Sequence, residues 1–189
     1  VGVESGDVVT VSAAANYDTK DVGENKTITV VYTLGGDDAG NYLKPVDYSV
    51  ATGVIEAKEL TVTGASVTSR PYNGTDVATI TGATLSGVEG GDIVTLGDET
   101  TGTFAQETPG SGINVMTAMT ISGAQAGNYS LAQPTLTGTI TQKQLTIGDP
   151  DLTLSKEYDG NTTAAVTQGA PVGVESGDVV TVSAAANYD

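Results

Sequence analysis

Residues 1–18 and residues 172–189 carry the same eighteen letters, VGVESGDVVTVSAAANYD, without a single change. Chance does not produce such a match. A chain that repeats every 171 residues, sampled over 189, does. This constrains the fold more than any other feature, because whatever the segment builds at one end has a counterpart at the other. The expectation is a tandem array, with the sampled window starting and stopping inside a structural unit.

A second, weaker repeat lies inside the first. RPYNGTDVATITGATLSGVEGGDIVT (residues 70–95) aligns with KEYDGNTTAAVTQGAPVGVESGDVVT (residues 156–181). GDDAGNYLKP (36–45) aligns with GAQAGNYSLAQP (123–134), and IEAKELT (55–61) with ITQKQLT (140–146). The offsets between these pairs are 85 to 87 residues, so the long period holds two diverged modules of about 85. Each module runs from a Leu-Thr strand through a Tyr-Asx-Gly turn, a Gly-Asp turn and an Ala-Gly-Asn-Tyr turn to Ile-X-X-Lys. The expected organisation is residues 1–57 as the closing half of a module, 58–143 as a complete module and 144–189 as an opening half. Residues 144–171 followed by 1–57 would make one whole module of 85.

Within a module the pattern is that of strands. Thr27-Ile28-Thr29-Val30-Val31-Tyr32-Thr33-Leu34, Leu60-Thr61-Val62-Thr63 and Leu145-Thr146-Ile147 set β-branched and aromatic residues into short alternating runs. No window carries apolar residues at the helical spacing for long enough to form a helix. The 25 glycines punctuate turns, and with one Phe and no Trp the eight tyrosines must supply much of the aromatic core. The expected class is all-β: small antiparallel sandwiches, Ig-like in form, joined by short linkers into an elongated rod. A β-grasp-like sheet and a β-solenoid are the alternatives.

A formal charge of −16 repels phosphates and anionic headgroups, so neither nucleic acid nor membrane surface is an expected partner. No run approaches a membrane span. Without His or Cys the usual bases, nucleophiles and disulfides are missing, and no enzyme is expected. No cofactor is expected either, although hard cations favour carboxylates. The weak calcium candidates are Asp37 with Asp38 and Asp149 with Asp151. Neither pair recurs in the sister module, and a solvated turn is the plainer reading of both. Lys58 and Lys143 occupy equivalent places, either as Lys–Asn crosslink partners or as guards of an exposed strand edge.

The recurring turns carry the remaining candidates. Asn73-Gly74 and Asp159-Gly160 supply the positive φ of tight turns, and Tyr72 and Tyr158 beside them read as packing anchors, with glycan stacking the alternative. In Gly40-Asn41-Tyr42 and Gly127-Asn128-Tyr129 the glycines relieve the backbone and the asparagines tolerate a left-handed φ. Tyr158-Asp159-Gly160 with Thr162 and Thr163, Ser176-Gly177-Asp178, Ala126-Gly127-Asn128-Tyr129 and Lys143-X-Leu145-Thr146 together resemble the YDG repeat family of large bacterial surface proteins and adhesins. That resemblance implies a β-rich spacer in an extracellular protein, on a bacterial surface or secreted, and implies no catalytic residues. A glycan- or protein-binding module repeated for avidity is the competing expectation. The expected partners are neighbouring copies joined head to tail, with any host or cell-surface ligand held by other parts of the parent. Where two identical termini compete for one place in a completed module, one copy should be displaced.

Overall fold

The computed structural model describes residues 2–188; Val1 and Asp189, the first and last letters of the repeated segment, lie outside them. The described residues are all-β: short strands, two 3-10 turns and no α-helix. They divide into two compact units that follow proximity rather than repeat boundaries, and residues 58–143 contribute to both.

The first unit takes the described residues up to Thr61 with Leu85–Gly97 and Thr120–Ala132. Its largest sheet is an antiparallel meander of Thr10–Tyr17, Gly23–Gly35 and Tyr48–Ile55. The middle strand contains the alternating Thr27–Leu34 run, and β-branched residues on both sides of it suit a pleated surface. Register slips between Gly23 and Lys26, where Asn25 adopts a φ of 55°, so the strand bulges. Every residue of Thr10–Tyr17 is exposed. The unit's buried side chains are Leu60 and Tyr129, on Lys58–Thr63 and Tyr129–Leu131. Those strands run parallel, with Leu131 opposite Leu60.

The second unit takes Val62–Thr84, Asp98–Met119 and the described residues from Gln133 onward. Ser66–Val67, Val77–Thr81, Thr101–Phe104, Gly110–Met116, Leu136–Thr141 and Arg70–Pro71 form one sheet in that order. Ala78, Phe104, Ile113, Val115 and Ile140 make its core, with Val67, Tyr72 and Leu136 packed against them. The period of two places these residues on one face: Val77–Thr81 alternates exposed and buried, and so does the end of Gly110–Met116. The same bulge recurs between Gly110 and Ile113, with Gly112 at φ 65° where the first unit has Asn25. Among the described residues beyond 143 the ladders are two residues long: Thr146–Ile147 with Pro171–Val172, Asp151–Leu152 with Val166–Thr167, and Thr163–Ala164 with Ala186–Asn187.

The strands are therefore not uniformly antiparallel. Tyr129–Leu131 lies parallel to Lys58–Leu60, and Ile140 and Thr141 lie parallel to Arg70 and Pro71. A parallel pair needs a long crossover, and these pairs join residues 58–60 to 129–131 and residues 70–71 to 140–141. Alternation within a strand carries no information about which distant strand lies beside it.

Candidate functional site

One short turn occurs three times: Glu4-Ser5-Gly6-Asp7, Glu89-Gly90-Gly91-Asp92 and Glu175-Ser176-Gly177-Asp178. Each is closed by the Asp amide donating to the Glu carbonyl, at 3.2, 3.1 and 3.1 Å. The glycine before each Asp has a φ of 104°, 92° and 97°, a region costly for any side chain. The turn thus presents a carboxylate and a free Glu amide side by side.

In two copies a tyrosine bonds to both. The Tyr42 hydroxyl donates to Asp7 Oδ2 at 2.6 Å and accepts from the Glu4 amide at 2.9 Å. The Tyr129 hydroxyl donates to Asp92 Oδ2 at 2.7 Å and accepts from the Glu89 amide at 3.1 Å. Asp92 holds Tyr129 above the usual tyrosine range, and the Tyr129 hydroxyl, with Lys20 beside it, holds Asp92 below the usual carboxylate range. Asp7 likewise raises Tyr42.

The Ala-Gly-Asn-Tyr segments aim those tyrosines. Ala39–Asn41 and Ala126–Asn128 are single 3-10 turns, and neither their glycine nor their asparagine has a positive φ. The left-handed residue stands earlier, at Gly36 (103°) and Gly123 (122°). A Cβ there would lie 2.3 Å from the carbonyl oxygen of Val8 or Ile93, so the expectation for Gly40, Gly127 and the two asparagines is corrected to Gly36 and Gly123. Asp38 then accepts from the Val8 amide at 2.8 Å, and Gln125 does the same for Ile93. Asn128 adds a third tie, accepting from the Val22 amide at 2.9 Å and donating to Asp21 at 3.0 Å.

The basic-X-Tyr-Asx-Gly loops are built by the basic residue. Arg70 donates to Asn73 Oδ1 at 2.6 Å, to the Thr75 carbonyl, and to the Val77 carbonyl at 3.1 Å. Lys156 donates to Asp159 at 2.9 Å and to the carbonyls of Asn161 and Thr163 at 2.8 and 3.0 Å. The Asx side chain also accepts the amide two residues on, from Thr75 or Asn161. Asn and Asp serve equally as that acceptor, and Gly74 and Gly160 complete the turn at φ 70° and 77°. Lys156 accordingly lowers the Asp159 carboxyl below its ordinary value. Each basic residue also lies over an aromatic ring, Arg70 over Phe104 at 5.3 Å and Lys156 over Tyr188 at 5.5 Å.

The two tyrosines of these loops differ. Tyr72 packs against the core, and its hydroxyl donates to Asp178 at 3.2 Å, a carboxylate 106 residues away rather than a loop carbonyl. That bond raises Tyr72 above its ordinary value. Tyr158 is 98 % exposed and is not a packing anchor in this chain. The three acidic acceptors Asp7, Asp92 and Asp178 are absent from the expected site residues. The signal that points to them is a Gly-Asp turn trailed by Asn-Tyr at nearly constant spacing, 35 residues to Tyr42 and 37 to Tyr129.

The acidic pairs expected to suit calcium are Asp37 with Asp38 and Asp149 with Asp151. Asp38 is committed to an amide, Asp151 lies in a two-residue ladder, and no group of three acidic residues suited to a metal occurs among the described residues. Lys58 and Lys143 pair with Glu89 and Glu175, one in each of two equivalent clefts. Among the described residues no helix is long and apolar enough to cross a membrane.

An all-β chain in which the same acid-bearing turn recurs, twice closed by the same tyrosine, belongs to the class of tandem β-repeat proteins. The family model described as "YDG domain" matches residues 1–49, 56–136 and 141–189, and the chain belongs to that family. No curated protein and no solved structure matches it.

Proposed function

We propose that this chain is a spacer: a segment of a tandem array of small Ig-like β-sandwich modules that extends a binding tip, or links cells, as part of a long extracellular bacterial adhesin or surface fibre. The observation that carries the reading is where the recurring polar motifs spend their hydrogen bonds. Tyr42, Tyr129 and Tyr72 all end on carboxylates of the repeated turn, Arg70 and Lys156 end on their own loops, and Tyr72 ties one repeat to the turn of the next. A chain in which these signature residues, Tyr158 apart, serve cohesion is suited to bearing length, and short linkers would make the array a semi-rigid rod. Neither His nor Cys is available for catalysis. The parent reading frame tests this: sequence closely like residues 19–171 is expected on both sides, and small-angle scattering of a multi-module piece should give an elongated profile. Unrelated flanks, or a compact profile, would remove the reading.

One observation favours repeated ligand binding instead. The exposed Tyr158 lines a cleft of 480 Å³ with Tyr188, Lys156 and Asp159, an arrangement on which a sugar ring could stack. Glycan-array binding abolished by Tyr158→Ala would favour that alternative.

A further inference from the structure

Of the eight asparagines in the chain, only Asn73 is followed by glycine. The pair lies in a loop whose donors converge on one atom. Asn73 Oδ1 accepts from Arg70 Nη1 at 2.6 Å, from the Thr75 hydroxyl at 2.9 Å and from the Thr75 amide at 3.2 Å. Arg70 is itself fixed. It donates to the carbonyls of Pro71 and Val77, both at 3.1 Å, and to that of Thr75, and its guanidinium lies over the ring of the buried Phe104. Three donors, one of them a cation on a packed core, are the surroundings that suit an oxygen gathering negative charge. Asn73, Gly74 and Thr75 are all exposed, so water reaches the carboxamide. Gly74 has no side chain to crowd its amide nitrogen, and its φ of 70° is one that glycine adopts cheaply.

We propose that Asn73-Gly74 is a self-modifying site, at which the Gly74 amide nitrogen attacks the Asn73 side-chain carbon and the loop converts from Tyr-Asn-Gly to Tyr-Asp-Gly. The steps balance with water as the co-reactant. Solvent takes the Gly74 amide proton as that nitrogen bonds to Asn73 Cγ, and the displaced electron pair moves onto Oδ1. The Cγ–Nδ2 bond then breaks, and Nδ2 takes a proton from solvent and leaves as ammonia. Water adds to Cγ of the resulting cyclic imide, the bond from Cγ to the Gly74 nitrogen breaks, and that nitrogen regains its proton. The net change is asparagine plus water to aspartate plus ammonia. Both additions place charge on Oδ1, so donors aimed at that oxygen assist both. They also choose the product. Water adding at the main-chain carbonyl of residue 73 would instead give isoaspartate, the usual main product in a free peptide; here the guanidinium polarises Cγ through Oδ1. The sister loop shows that the product fits. Asp159 stands at the position of Asn73 and Lys156 at that of Arg70. Asp159 accepts from Lys156 at 2.9 Å and from the Asn161 amide at 3.1 Å, as Asn73 does from Arg70 and Thr75. Aspartate at 73 therefore keeps these contacts and adds a charge facing Arg70.

The experiment is peptide mapping by mass spectrometry of the whole chain, incubated at neutral pH both folded and unfolded in urea. The folded chain should gain the amide-to-acid mass change at residue 73 faster than the unfolded one, and mainly as aspartate, while the unfolded chain gives chiefly isoaspartate. Arg70→Met should slow conversion of the folded chain about tenfold or more, the loss of a hydrogen bond from a charged group to the reacting oxygen. Thr75→Val removes the hydroxyl donor alone and should slow it by a smaller factor. That second variant keeps the guanidinium and the loop backbone, so it decides the matter should Arg70→Met fail to fold. If Arg70 and Thr75 only pin the loop, the signs reverse, because releasing a restrained asparagine speeds its attack. Slower conversion in the folded chain than in urea, isoaspartate as the main product of both, or acceleration by either substitution would overturn the proposal.

Discussion

A tyrosine donating to an aspartate is a bond with two pH limits. Asp92 is lowered chiefly by the Tyr129 hydroxyl, so its contribution is present above the ordinary carboxylate pKa and is lost as pH falls through the lowered value. Tyr129 is raised chiefly by Asp92, so its contribution is present below the ordinary tyrosine pKa and is lost as pH rises through the raised value. The window is roughly pH 4 to 10. Tyr129→Phe should therefore lower the unfolding midpoint by a constant amount of several degrees across neutral pH, and the deficit should shrink at both extremes. Circular dichroism melts of the two proteins over pH 2–11 check this; a deficit that stays unchanged at both ends would mean that Tyr129 contributes only by packing. Calcium belongs to the same scale. With Asp38 bound to the Val8 amide and no cluster of three acids among the described residues, millimolar calcium is expected to leave the midpoint unchanged. A rise of many degrees, abolished by Asp151→Ala, would contradict this.

At the scale of elements, two glycines do the same work in different sheets. A Cβ on Gly138 would stand 2.6 Å from Val67 and 2.8 Å from the Phe104 ring; one on Gly53 would stand 2.7 Å from the Tyr17 ring. Without a Cβ at that point, the strand leaves room for an aromatic ring to lie against it. Gly138→Ala should destabilise by about 1–3 kcal/mol through overpacking, and Gly53→Ala less, because Tyr17 is half exposed and can swing away. Urea unfolding of both variants decides; equal small effects would show that the rings relax freely. These elements also mark what a sequence reveals. Leu60–Thr63 and Thr27–Leu34 announce themselves by alternation, because one face meets the interior or a neighbour. The Asx-Gly turns are legible because only glycine takes their φ cheaply. The 3-10 form of Ala-Gly-Asn-Tyr, the parallel pairings and the Asp acceptors are not. Each depends on a partner tens of residues away, and local propensity is silent about partners.

For the molecule as a whole, one internal comparison isolates that dependence. The octapeptide TVSAAANY occurs at residues 10–17 and again at 181–188. The first copy is one continuous strand, paired along its length from Thr10 opposite Gly35 to Tyr17 opposite Ile28. The second forms only Ala186–Asn187, against Thr163–Ala164. Propensity is the same to the last atom, so the difference belongs wholly to the neighbouring strand: Gly23–Gly35 stands beside one copy and not the other. Amide exchange should report it. In dilute solution the amides of 10–17 that bond to Gly23–Gly35 should be protected, while those of 181–185 exchange at rates near those of an open chain. Mass spectrometry can separate the copies only through peptides that run past residue 18 or begin before residue 172, since shorter ones are identical. Equal protection of both copies at dilution would mean that the octapeptide orders itself, and the argument from partner to strand would have to be abandoned.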